Sequence, residues 1–472
     1  MKERTMKSFR IFLGLFFLAL CTVQGRAIYH GKQVRQLPWQ PSEIHPLSKT
    51  SAVAEHYWPH PTGSRPLVAL LVDFSDAPAD FTPAEIDSFL NQPGYKRFGN
   101  NGSVHDFYLD VTKGKLDIHF VVKGYYRALK TKTYYETKGQ WEGGDELMDE
   151  TLKAFDKDVD FKTLGTAGES SVNSTALLYA GDEHPGALWG ATSDVDLQLD
   201  GKRVGRAFWA GIGKSDLVIS TACHEMGHML FNWPDLYNAP TATGGMGAHS
   251  LMSAYADEHN PVPPDETLSA DQGWIQVHDL QASSQGVFTV PANPDTVYRF
   301  ANPKTANESF FVTNRKNTGR WASLDGKGIL IFHFDMAYNE TSDDTKTAVM
   351  LVQEKGKAKP PQGWAEPAHY FYRENQPVFS VAVQQSENNW HDGSASGIRL
   401  YDISSIGDRM LFSIGSIATA ARGIATAPRA ALPEPGPRER YLVNGVSLDP
   451  SGAMTASHLC TRGCIATGVT AR

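Results

Sequence analysis

The chain has 472 residues, 41% of them hydrophobic and 20% charged, values of an ordinary globular protein that exclude a disordered or fibrous class. Its formal net charge of -8 comes without a basic block, so no nucleic-acid partner is expected. At this length two or three domains, or one large unit with a β-rich appendage, are the organisations to test.

The N-terminus carries Lys2, Arg4, Lys7 and Arg10, then an apolar run over 11–20, then small or polar residues around Val23 and Gly25. That is the layout of a secretory signal peptide over residues 1–25, and the run is too short to span a bilayer. The expectation is a secreted chain, extracellular or at the cell surface, without stable membrane insertion. Bulky Leu20 before Cys21 argues against lipid attachment. Residues 26–65, with Pro38, Pro41, Pro46, Pro59 and Pro61, read as a lead-in or short pro-segment.

Residues 67–74 (LVALLVDF) form an apolar run of strand length, as in a strand buried on both faces. Helices are predicted over 83–90, 104–108 and 144–155, and strands over 116–122 and 174–179. After Trp274 the pattern becomes short runs at 286–290, 309–312, 328–334, 378–383 and 399–403, separated by turn residues, which is an all-β signature. From residue 417 the chain is rich in Ala, Arg, Pro and Gly and reads as a linker and tail. The fold class predicted is α+β, with a catalytic unit over 66–280, a β-rich domain over 281–416 and the tail over 417–472.

Ser215 and Asp216 can cap a helix running from Leu217 to about Leu230. Within it, Ile219, Cys223, Met226 and Leu230 recur at helical spacing, so the helix should be largely buried, with Cys223 a small hydrophobe rather than a nucleophile. His224 and His228 are four apart and project from one face, where both imidazoles can reach one metal ion, zinc being the simplest choice. Glu225 lies about a quarter-turn from His224, near the metal but not necessarily on it, and can take a proton from a metal-activated water. Catalytic zinc usually takes three protein ligands; Asp235, beyond the helix-ending Pro234, is the nearest candidate, with His249, Asp257 and Glu258 as competitors. Cys460 and Cys464 can pair with each other in an oxidising compartment.

Several separate motifs then resemble the immune inhibitor A family of secreted bacterial zinc metallopeptidases. They are LVALLVDFSD at 67–76, NGSVHDFYLDVTKGKLDI at 101–118, LLYAG at 177–181, CHEMGHMLFNWPDLYN at 223–238, HSLMSA at 249–254, LSADQGW at 268–274, and FFVTNRKNTGRW and GKGILIFHFD further on. The resemblance implies His224, His228 and Asp235 as zinc ligands, Glu225 as general base and Met252 in a supporting turn beneath the metal. It also implies a zincin-like catalytic domain with a mixed sheet and an active-site helix, followed by a sandwich-like β domain. Here 231–233 (FNW) stands between the second histidine and the aspartate, one residue longer than the family spacing and without its glycine. The family's calcium loop is replaced by 161–173, with one carboxylate, which leaves calcium poorly supplied with oxygen ligands. Gly190 follows Trp189 where the family carries a histidine. The segment RYLVNGVSL in the tail resembles β-rich C-terminal sorting signals.

Together these readings predict a secreted zinc metalloendopeptidase acting on protein or peptide substrates as a monomer. The alternative is a catalytically silent zinc-containing surface protein whose β-rich region binds glycan or protein.

Overall fold

The computed structural model describes residues 58–165, 171–184, 187–236, 246–253, 255–292, 295–324, 326–337, 348–352, 370–380 and 388–415, and the backbone of three short strands between 441 and 455. The signal peptide, most of the lead-in, Cys21, Cys460, Cys464, the second half of the predicted strand at 378–383 and most of the tail lie outside the described residues.

The chain divides into two compact units, Met1–Gly415 and Ser416–Arg472. In the first, β1 (Gly63–Asp73), α1 (Pro83–Asn91), α2 (Val104–Val111), β2 (Leu116–Arg127), α3 (Lys132–Thr137), α4 (Gly139–Phe155) and β3 (Thr175–Tyr179) come first. β4 (Ala191–Leu199), β5 (Lys202–Gly211), α5 (Ile219–Phe231) and α6 (Glu266–Asp271) follow. The five strands form one sheet in the order β2-β1-β3-β5-β4, parallel except for β4, which lies antiparallel at one edge.

β1 reads as a continuous apolar run because both its faces are covered. Leu67, Ala69 and Leu71 enter a core shared with α1, α2 and α5. Val68, Leu70 and Val72 point the other way, into a core closed by Leu147, Met148 and Leu152 of α4.

The second half is β-rich. β6 (Gln276–Leu280), β7 (Gly286–Pro291), β8 (Thr296–Ala301), β9 (Glu308–Arg315), β10 (Gly328–Asp335), β11 (Val349–Leu351) and β12 (Arg409–Ile414) make a five-stranded sheet, β11-β10-β9-β8-β6, and a β12-β7 ribbon. β9 and β10 are buried along their whole length. Phe311, Leu330, Phe332 and Phe334 join the core that carries Met226, Met229 and Trp233 of the α5 region. Phe310, Val312, Ile329 and Ile331 face a separate core with Val290, Met410 and Phe412 of the ribbon.

One buried cation ties α6 to β9. Arg315 pairs with Glu266 (Nε–Oε1 3.0 Å, with a second contact through Nη2) and donates from Nη1 to the carbonyl of His249 at 2.9 Å. Its guanidinium lies 3.7 Å from the centroid of the Trp321 ring.

In the second unit β13 (Tyr441–Val443), β14 (Val446–Leu448) and β15 (Met454–Thr455) form an antiparallel ladder. Helices beside mixed sheets agree with the α+β class. No helix among the described residues is long and apolar enough to cross a membrane.

Candidate metal centre

Every residue of α5 from Ile219 to Phe231 is buried. Its start corrects the sequence reading: the N-cap is Val218, whose side chain caps nothing, and not Ser215 or Asp216. Asp216 is held by His259 instead (Nε2–Oδ1 3.1 Å). The free N–H groups of the first turn are satisfied from a distance, Ile219 by Asn100 Oδ1 at 3.3 Å and Ser220 by the carbonyl of Glu258 at 3.1 Å. The helix ends before Pro234: Asn232 takes a left-handed conformation (φ 57°), and its N–H donates to the His228 carbonyl at 3.1 Å.

That turn folds Asp235 back over the helix. Its Oδ1 lies 2.9 Å from His224 Nε2 and 3.2 Å from His228 Nε2, and the two Nε2 atoms are 3.1 Å apart. Each ring is oriented from behind, His224 Nδ1 against the Leu251 carbonyl at 2.9 Å and His228 Nδ1 against the Trp233 carbonyl at 2.6 Å. A carbonyl only accepts, so each Nδ1 carries the hydrogen and each Nε2 presents its lone pair.

Two imidazole lone pairs and a carboxylate oxygen thus converge on one point, an arrangement that calls for a cation. A zinc–nitrogen distance of about 2.0–2.1 Å gives a tetrahedron with edges of about 3.3 Å, near the three spacings found here. The donor set and its orientation fit zinc. The imidazoles hold the Asp235 carboxyl well below the usual carboxylate range although burial alone would raise it.

Glu225 follows His224 on the helix. Burial pushes its carboxyl up to about 8, against the opposing pull of His224. Thr192 on β4 lies with its hydroxyl 2.9 Å from Glu225 Oε2 and 3.0 Å from the Glu225 carbonyl oxygen.

Met252 lies beneath the histidine-bearing turn. A β-carbon on Gly227 would come within 2.4 Å of Met252 Sδ and 3.2 Å of the Trp233 ring, so only glycine allows this approach. The Met252 carbonyl accepts from the Leu236 N–H at 2.6 Å, which fixes the segment carrying Asp235. Cys223 is fully buried, and burial raises its thiol far above the ordinary value.

The competing ligands go elsewhere. His249 is buried against Tyr370, Asp257 accepts from the N–H of His259, and Glu258 lines a cleft of about 530 Å³ beside the first turns of α5. Glu183, which the sequence reading did not single out, lines the same cleft. It accepts from the Gly211 N–H at 2.8 Å, and burial pushes it up to about 7. A β-carbon on Gly190 would lie 3.2 Å from Glu183 Oε1 and 3.5 Å from Glu225 Oε1, so the small residue after Trp189 sits between the two carboxylates. Tyr255 is buried with its ring 5.8 Å from that of His224, and its hydroxyl has no hydrogen-bond partner among the described residues.

Thr192 was also missed, although its strand carried a signal. Asp200-Gly201 joins β4 to β5 with both residues at positive φ (51° and 78°), the two-residue hairpin that Asp-Gly between alternating runs announces.

No family model and no curated protein matches this chain. Among solved structures, metalloproteinase-II from Bacteroides fragilis is similar at 13% identity, with a TM-score of 0.23, over 45% of this chain. The similarity spans 54% of that protein's length, about half, and the reading of the site rests on its own geometry.

Proposed function

We propose that this chain is an exported zinc-dependent endopeptidase of the immune inhibitor A type, hydrolysing protein or peptide substrates with Glu225 as general base. The observation that carries this reading is the convergence of His224 Nε2, His228 Nε2 and Asp235 Oδ1, with the Glu225 carboxylate one residue along the same helix. These three side chains would hold the ion, and three protein ligands are the number found in catalytic rather than structural zinc sites. When bound, zinc supplies Lewis acidity, making a water more acidic and a scissile carbonyl more electrophilic.

The protein's own groups do the rest. Glu225, oriented by Thr192 and made more basic by burial, takes the proton from the attacking water and returns it to the leaving amine. The Tyr255 hydroxyl is a buried donor for a developing oxyanion. Among the described residues β4 pairs only with β5, so its other edge offers backbone N–H and C=O groups to an extended substrate strand. A mixed sheet with one antiparallel edge strand beside the metal-bearing helix supports a zincin-like arrangement, and the layout of residues 1–25 supports export.

The test is hydrolysis of an unfolded generic protein by the full chain, with and without a zinc chelator, beside Glu225→Ala. The expected result is chelator-sensitive cleavage, with kcat/KM lowered by about 10²–10⁴-fold in Glu225→Ala at unchanged zinc content. A zinc-loaded chain that cleaves nothing, even after limited proteolysis of the lead-in, would overturn the reading in favour of a silent zinc protein.

A further inference from the structure

The second half of the molecule draws together another group of imidazoles and carboxylates. Glu308 opens β9 in register with Asp335, which closes β10, and two residues inward Phe310 faces His333. Directly opposed residues share a face, so Glu308, His333 and Asp335 all project to the side of the sheet that carries the ribbon-facing core. His391 comes from the segment after Trp390, whose ring packs 5.1 Å from that of Phe310. Glu308 Oε1 lies 2.8 Å from His333 Nε2 and 3.9 Å from His391 Nδ1, and Asp335 Oδ2 lies 2.8 Å from His391 Nδ1. The ligand atoms of Glu308, His333 and His391 all fall within 4.8 Å of one another. None of the four side chains is more than 11% exposed.

Each group is aimed from behind. Asn302 Nδ2 donates to Glu308 Oε2 at 2.6 Å, and the Ala337 N–H donates to Asp335 Oδ1 at 2.9 Å. Asp335 is thus anchored through Oδ1 and turns Oδ2 toward His391, while Glu308 is anchored through Oε2 and its Oε1, facing the imidazoles, also accepts from the His391 N–H at 2.6 Å, the kind of support that metal-binding carboxylates usually have. Phe310 stacks on the His333 ring at 4.2 Å and 18°, and the two imidazoles face each other at 4.2 Å. Among the described residues neither Glu308 nor Asp335 is paired with a lysine or arginine. Two buried carboxylates therefore meet two imidazoles, and no side chain of fixed positive charge among the described residues balances them. A divalent cation supplies that charge, and a donor set of two imidazole nitrogens and a carboxylate oxygen suits a zinc-class ion better than calcium.

We propose that Glu308, His333 and His391 form a second binding site, for a divalent transition ion of the zinc class, with Asp335 orienting the His391 ring. These side chains are buried at the end of the sheet, so the role is structural: the ion pins the segment around His391 to the end of the β9–β10 pair. Without it, the same side chains share two carboxylate–imidazole hydrogen bonds, and the two states differ in metal content.

The test uses the full chain carrying His224→Ala and His228→Ala, which removes the α5 ligands, titrated with zinc alone while metal content and Tm are measured. One equivalent should be retained and Tm should rise with zinc. Adding His391→Gln should weaken that binding at least about tenfold, a loss typical of removing a metal-supporting group, with an unchanged circular dichroism spectrum. Asp335→Asn, which keeps size and removes charge, should do the same and guards against a folding defect in the first variant. Zinc binding unmoved by both substitutions, or none in the His224→Ala/His228→Ala chain, would overturn the proposal. The peptidase reading fails separately: wild type holding a single equivalent, lost with His224 and His228, removes only this second site. A chain that keeps two equivalents and never cleaves removes only the first reading.

Discussion

The two histidine clusters are built by opposite means. On α5 the imidazoles are neighbours because a helix places residues four apart on one face, and Asp235 arrives seven residues later through one left-handed turn. In the β-rich half, Glu308, His333 and His391 come from three segments far apart in sequence, brought together by strand register. A local cluster depends on one helix keeping its shape. A distributed one depends on the whole sheet being in place, so it reports on global folding in a way that the helical cluster does not.

This contrast can be broken at the joint between the halves. Arg315 is fully buried on Glu266, the His249 carbonyl and the Trp321 ring, so Arg315→Ala leaves the Glu266 carboxylate buried without its partner. It should cost about 3–5 kcal/mol of unfolding free energy, read from urea denaturation. A loss below about 1 kcal/mol would mean that this ion pair contributes little to holding the halves together.

A smaller effect sharpens the electrostatic side of the contrast. Glu183 titrates at about 7 in the folded chain against an ordinary 4.5, because burial disfavours its charge. The folded state therefore holds this proton more tightly than the unfolded state does. Its contribution is greatest below about pH 4.5, declines between 4.5 and 7, and is flat above. The full shift would be about 3 kcal/mol, and Glu183 is partly open to the cleft, so the decline should be smaller. In chelator-treated protein, Glu183→Gln should flatten the stability profile between pH 5 and 8; a profile identical to wild type would exclude Glu183 as its source.

The smallest expected change is local to the helix. Gly227→Ala drives a methyl into Met252 and Trp233 and should destabilise the fold by about 1–3 kcal/mol, seen as a lower Tm. Because the same contact supports the turn under His228, zinc affinity at the α5 cluster should fall while zinc held by the His391 cluster stays.

What could be read from the sequence follows the same division. The strands at 67–74 and 174–179 were legible because burial on both faces writes a continuous apolar run, and their observed spans, Gly63–Asp73 and Thr175–Tyr179, differ at the ends only. The α5 histidines were legible because their relation is local. Its cap was not, since the acceptors come from Asn100 and Glu258, which no pattern near Ser215 announces. β4 and β5 carried a readable Asp-Gly turn but an interrupted alternation, with a register shift between Val195 and Gln198. Glu183 and the His391 cluster left no local signal at all, because loop path and strand pairing alone bring them to their neighbours.

β9 and β10 serve two cores at once, one face joining the core that holds Met226 and Trp233 and the other facing the β7–β12 ribbon. A shared wall of that kind makes the halves inseparable in inheritance as well as in space. A recombination event that swapped the β-rich half for an unrelated module would remove apolar side chains from the core to which the histidine-bearing helix belongs. The two halves must therefore drift together, each substitution on one face of the wall constrained by what the opposite face already packs.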